Sequence, residues 1–201
     1  MTDASVQETI EAEYETELSR LGSSKAIYAL TGGEMETGAV LAALGDRAAT
    51  AAATFEVWTD DPAHGDVFAS AAETAESQAE EIADVADGLE PADAPQATDE
   101  ALRDLDDSDA RLGGLLAWTL VSDRTAAQAV GFFVGNADPQ SAERFRGLRS
   151  DVDEIRRAAL DALADADEET ALEAASRVVE AAYADYVETL EGLGVKVKPV
   201  C

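Results

Sequence analysis

Apolar residues recur at alternating spacings of three and four along most of the chain, the period of helices that each bury one face. The first such segment opens at Ser5 with Glu8 three residues on, a capping-box pairing. It carries Ile10, Tyr14, Leu18, Leu21 and Tyr28 to a stop at Gly32-Gly33. The second carries Leu41, Leu44, Ala48, Ala51, Phe55 and Trp58 and stops at Asp60-Asp61-Pro62. The third carries Phe68, Ala72, Ala75, Ala79, Ile82, Ala86 and Leu89 and ends near Gly88. Small residues fill the middle of the second and third seams, so these two backbones can approach closely.

Residues 90–98 (Glu-Pro-Ala-Asp-Ala-Pro-Gln-Ala-Thr) form the longest linker, with two prolines in nine residues. Helical spacing resumes with Leu102, Leu105, Leu112, Leu116 and Leu120, and Ser122-Asp123 reads as the cap of a short continuation carrying Val130, Phe133 and Val134. Gly135-Asn136-Ala137-Asp138-Pro139 reads as a helix stop and a new start, Asp138 capping and Pro139 at the first helical position. A helix with Phe145, Leu148, Val152, Ile155, Ala159 and Leu163 follows. The last carries Leu172, Ala175, Val179, Ala182, Tyr186, Leu190 and Leu193 and stops at Gly192 or Gly194. The tail, 195–201, alternates like a strand but is too short to make a sheet by itself. The pattern predicts an all-α antiparallel bundle of six or seven helices, one domain over 1–201 with a hinge at 90–98.

Composition decides how that bundle must be stabilised. Alanine supplies 42 of the 201 residues and Leu, Ile, Val and Phe together another 42, a thin aliphatic supply beside 28% charged residues. Such a composition lies near that of disordered chains. A helical period held through six segments argues for folding instead. Acids outnumber bases 43 to 14, a net charge of −29. That argues against direct nucleic-acid binding, which needs clustered Lys and Arg, and against docking on anionic membranes. Three lysines against eleven arginines, with this acidity, resemble proteins of salt-accumulating halophilic archaea. In molar salt the Debye length falls to ~3 Å and self-repulsion is largely screened. No run of 18 apolar residues and no basic-apolar leader occurs, so the location expected is the cytoplasm.

Candidate chemistry is sparse. His64 is the only histidine, placed in a helix-start loop where solvent exposure is expected, and Cys201 is the only cysteine. No phosphate-cradling glycine loop and no zinc-type Cys/His spacing occurs. Glu73, Glu76 and Glu80 share one face of the third segment. With Glu13, Glu17 or Asp46 opposite them they could hold a hard cation, iron or manganese, through oxygen. The competing reading of the three is a solvated acidic face. Asp109 falls at or beside a seam position between Leu105 and Leu112, and Lys25 on the seam between Leu21 and Tyr28. If buried, Asp109 needs a partner, Arg111 or Lys25, and a polar layer fixing helix register is the expectation.

Three stretches carry a family resemblance: Thr16-Glu-Leu-Ser-Arg-Leu-Gly-Ser-Ser-Lys-Ala-Ile-Tyr28, Gly131-Phe-Phe-Val-Gly-Asn-Ala-Asp-Pro139 and Leu190-Glu-Gly-Leu-Gly-Val-Lys-Val-Lys-Pro-Val-Cys201. Together they resemble a haloarchaeal rubrerythrin-like family of the ferritin-like superfamily, some of whose look-alikes are labelled transcription antitermination proteins. The resemblance implies a four-helix bundle with inward Glu and Glu-x-x-His ligands for two irons. At the family-like positions this chain has Asp46-Arg47 and Glu76-Ser77, neither with a histidine, and no cysteine pairs of a rubredoxin-type site. The expectation is a non-catalytic scaffold or adaptor with no cofactor, binding a protein partner or itself. The alternatives are a residual carboxylate-metal oxidoreductase, an antitermination-related factor acting through protein contacts, and a redox-enzyme maturation chaperone. The last rests on Glu90-Pro91-Ala92-Asp93, where the histidine expected next is Ala94.

Overall fold

A computed structural model describes residues 5–85 and 97–197. Among them are nine helices and no strand: α1 (Val6–Glu13), α2 (Glu15–Leu21), α3 (Ser24–Leu30), α4 (Thr37–Trp58), α5 (Gly65–Ala83), α6 (Ala97–Arg103), α7 (Ser108–Gly135), α8 (Pro139–Leu163) and α9 (Glu168–Gly192). The all-helical bundle follows the apolar period; the number of helices exceeds it. The first apolar segment is three helices rather than one. Tyr14 leaves helical geometry between α1 and α2, and Gly22-Ser23 separate α2 from α3. Apolar spacing continues across both breaks because α1 is laid on α9 and α2 and α3 on both α7 and α9.

α7 is the axis of the molecule. Every residue from 112 to 121 is buried, which is why no single apolar stripe marks it. It packs along α8 on one side and α9 on another. Gly113 makes the α9 crossing feasible: a Cβ there would lie 2.0 Å from the Ala171 carbonyl oxygen. Ser122-Asp123 caps nothing, because α7 runs through it unbroken and Asp123 instead receives Arg149 of α8 at 2.8 Å.

α4 and α5 form an antiparallel hairpin whose seam is Ala48 and Ala51 against Ala71, Ala72 and Ala75, all buried. α7 and α8 form a second hairpin, with Asp138 capping α8 and Pro139 opening it as the spacing predicts. The left-handed turn residue between them is Ala137 (φ 57°), not the adjacent glycine. Phe55 ties the hairpins together, lying edge-on to Trp118 at 5.1 Å, and within the α4–α5 hairpin Trp58 meets Phe68 at 5.3 Å. Toward the other end Phe133 and Phe145 stack at 5.3 Å in a second apolar cluster with Leu44 and Ile82.

Within the hinge region, Ala97 and Thr98 are helical and held by Asp185 of α9, which accepts both backbone N–H groups at 2.9 and 3.1 Å; 90–96 lie outside the described residues. Residues 195–197 form no strand, and the rest of the tail, with Cys201, lies outside them too, as do Ala86, Gly88 and Leu89.

Candidate functional site

Between the two hairpins lies a cavity of about 50 Å³, lined by residues of α4, α5, α7 and α8. Its walls are mostly apolar: Leu44, Ile82, Trp118, Phe145, Leu148 and Val152. Its polar groups are Arg47, Gln78, Ser122 and Thr125. Gln78 is buried and donates to the Leu148 carbonyl at 3.4 Å, and the Thr125 hydroxyl donates to the Val121 carbonyl at 3.0 Å. Burial pushes the Arg47 pKa down, while Asp99 of α6 and Asp185 of α9 pull it back up. A guanidinium so placed stays charged at neutral pH. Among the described residues no carboxylate, imidazole or thiol lines the cavity. The Arg47 side chain thus lines the space between the two hairpins, with Asp99 and Asp185 as the carboxylates that act on its charge.

The acidic candidates stand elsewhere. Glu73, Glu76 and Glu80 are exposed on the outer side of α5, Glu13 is exposed and Glu17 half-buried, and Asp46 is half-buried but outside the cavity wall. Among the described residues no three His, Cys, Asp or Glu side chains are brought together as a metal-holding group.

Asp99 and Asp61 are buried acids, and Asp61 is one that the spacing offered only as a helix stop. Its side chain is 1% exposed and is held by Arg111 at 3.0 Å and by the Ser108 hydroxyl at 2.9 Å. It also receives the N–H groups of Ala63 and His64 at 3.0 and 3.1 Å. Burial alone would raise its pKa; these donors more than offset it and hold the carboxyl below its usual range. Arg111 also donates to the Leu105 carbonyl and lies over the Trp58 ring at 5.9 Å. Asp109 is only half-buried and has partners other than those expected. It accepts the Asp167 N–H at 3.0 Å, and His64 Nε2 stands 3.8 Å away. His64 is thus not a solvent-exposed side chain: it is 20% exposed and faces a carboxylate. Lys25 is exposed and belongs to no polar layer.

This junction joins the α4–α5 turn, the start of α7 and the α8–α9 turn. Its partners lie 47 and 50 residues apart in sequence, so local spacing carries no trace of them. It fixes three chain reversals at one end of the bundle. No protein-family model, curated protein or solved structure matches this chain.

Proposed function

We propose that this chain is a non-catalytic helical-bundle protein of the ferritin-like, rubrerythrin-related kind from a halophilic archaeon. It works in the cytoplasm as a scaffold or adaptor that binds a protein partner or another copy of itself. The observation that carries this reading is Arg47. Where a di-iron bundle directs carboxylates and imidazoles between its helix pairs, the described wall of this cavity carries the Arg47 side chain among apolar and neutral groups, which offers a metal ion no ligand there. Two further features support it. The hairpins α4–α5 and α7–α8, joined by a long connection, have the connectivity of a four-helix bundle with one crossover. The net charge of −29 on an alanine-rich chain suits a salt-filled cytoplasm.

The test is affinity capture in molar potassium chloride, with the whole chain as bait and the same chain unfolded by Leu44→Asp as control. A stoichiometric protein retained only by the folded bait is expected. Capture that does not depend on folding, together with peroxide turnover by the pure chain, would replace the adaptor reading with an enzymatic one.

A further inference from the structure

α8 carries five of the chain's eleven arginines, Arg144, Arg146, Arg149, Arg156 and Arg157, against five acids, Glu143, Asp151, Asp153, Glu154 and Asp161. It is electrically neutral in a chain of −29. Its inner side packs on α7 and α5 through Phe145, Leu148, Val152, Ile155 and Ala159. Its outer side exposes Glu143, Arg146, Gly147, Ser150, Glu154 and Arg157. These positions recur at threes and fours and form one continuous stripe.

The order of charges along that stripe is self-complementary. Set a second α8 antiparallel to the first, with a twofold axis through Ser150. Glu143 then faces Arg157 of the other copy, and Arg146 faces Glu154. Each pair is made twice, once on either side of the axis. Opposed helix dipoles add to the fit. In the middle, where backbones come closest, stand Gly147 and Ser150 (both exposed). A glycine inside a helix lowers its stability, and nothing among the described residues requires one at 147: no described atom lies within 4 Å of a Cβ built there. Close approach by another backbone gives that glycine a use.

We infer that the outer face of α8 is a surface on which two copies of this chain pair as antiparallel helices about a twofold axis at Ser150. With α8 neutral, the rest of the chain carries the full net charge of −29, so this stripe is where two copies approach with least repulsion. Within one chain Arg146 reaches Glu143 at 2.8 Å and Arg157 reaches Asp153, which holds both guanidiniums along the stripe. One exposed helix face makes an interface at the small end of the specific range, so a dissociation constant on the order of tens of micromolar is expected. Molar salt favours pairing by screening the repulsion between the two acidic bodies over distances beyond a few ångströms.

The inference rests on the binding reading proposed above and deepens it by naming a second copy as partner. The two fail separately, because pairing of chains does not depend on whether another protein is captured. Sedimentation velocity of the full chain in molar potassium chloride, over a concentration series, measures it. The native chain is expected to dimerise. Arg146→Glu with Arg157→Glu, and separately Glu143→Arg with Glu154→Arg, are each expected to weaken self-pairing at least tenfold with unchanged helicity. An equimolar mixture of these two variants is expected to recover a dimer, because each stripe then faces its opposite. Gly147→Gln, which nothing among the described residues opposes, is expected to keep the fold and lose the dimer. A native chain that stays monomeric throughout, a dimer indifferent to the charge reversals, or a mixture no more dimeric than its components would overturn the inference.

Discussion

Asp61 is a buried carboxylate held by one guanidinium, one hydroxyl and two backbone N–H groups. Replacing it with asparagine leaves Arg111 facing a neutral group across a largely desolvated contact. A loss of about 3 kcal/mol is expected in a denaturant titration. The pH dependence has a definite sign. The folded pKa of Asp61 is depressed, so the stability it contributes is present above its unfolded pKa, ~3.9, and is lost as pH falls through the lower folded value. The gap between the native chain and Asp61→Asn is therefore expected to be full at neutral pH and to close below about pH 4. A gap that is constant down to pH 2 would contradict this linkage. Gly113 offers a contrast without charge. Its Cβ would collide with the Ala171 carbonyl, so Gly113→Ala should cost about 3 kcal/mol, whereas Gly131→Ala, with open space beside it in the same helix, should add about 0.5 kcal/mol. Melting curves of the two variants shifting in the same direction would contradict the crossing geometry. Neither Asp61 nor Gly113 was legible as special, because what makes each so lies on another element. Asp61 meets residues of α7, and Gly113 meets the backbone of α9.

Among the elements, those with one buried side were legible and those with two or none were not. α4, α5, α8 and α9 each show an apolar stripe over a polar remainder, and their seams were read residue by residue from spacing. α7 was read as two pieces because burial on every side erases the stripe, and Ser122-Asp123 then looked like a boundary. The breaks at Tyr14 and Gly22-Ser23 were hidden for the opposite reason, since the stripe survives them. The α4–α5 seam permits a direct comparison. Leu44 and Ile82 are buried in one cluster, and Glu80, two residues before Ile82, is exposed. Leu44→Asp and Ile82→Asp are expected to destabilise by several kcal/mol, on the order of 3–5, and Glu80→Ala by no more than ~0.5. Equal melting shifts for all three would mean that the buried faces are other than described. Among the described residues the candidate carboxylates are not brought together, for a reason at this same scale. Three glutamates on one helix can share a face, but that face must also turn inward and meet acids from a second helix, and the outer side of α5 does neither.

For the whole molecule the governing quantities are the charge of −29 and the alanine content, both plain in the sequence. Alanine seams bring helices close but bury little area each, so hydrophobic stabilisation per residue is small and electrostatic repulsion weighs heavily. Helicity measured by circular dichroism is expected to be full in molar potassium chloride and to fall in dilute buffer, with the melting temperature rising through the salt series. Helicity and melting temperature unchanged from low to molar salt would remove the argument for a halophilic setting. Architecture at this scale was legible as an all-α bundle; the cavity between the hairpins was not, because its walls come from four helices and its one cation sits beside an alanine seam.

That cation is the centre of the account, and metal content tests it most directly. Chain purified without tag or chelator is analysed for iron and manganese, natively and as Glu76→Ala. Far less than one metal per chain is expected in both, because Arg47 stands between the hairpins and the glutamates of α5 face outward. Two tightly held irons per native chain, lost together in Glu76→Ala, would contradict the scaffold reading and make this bundle an oxidoreductase.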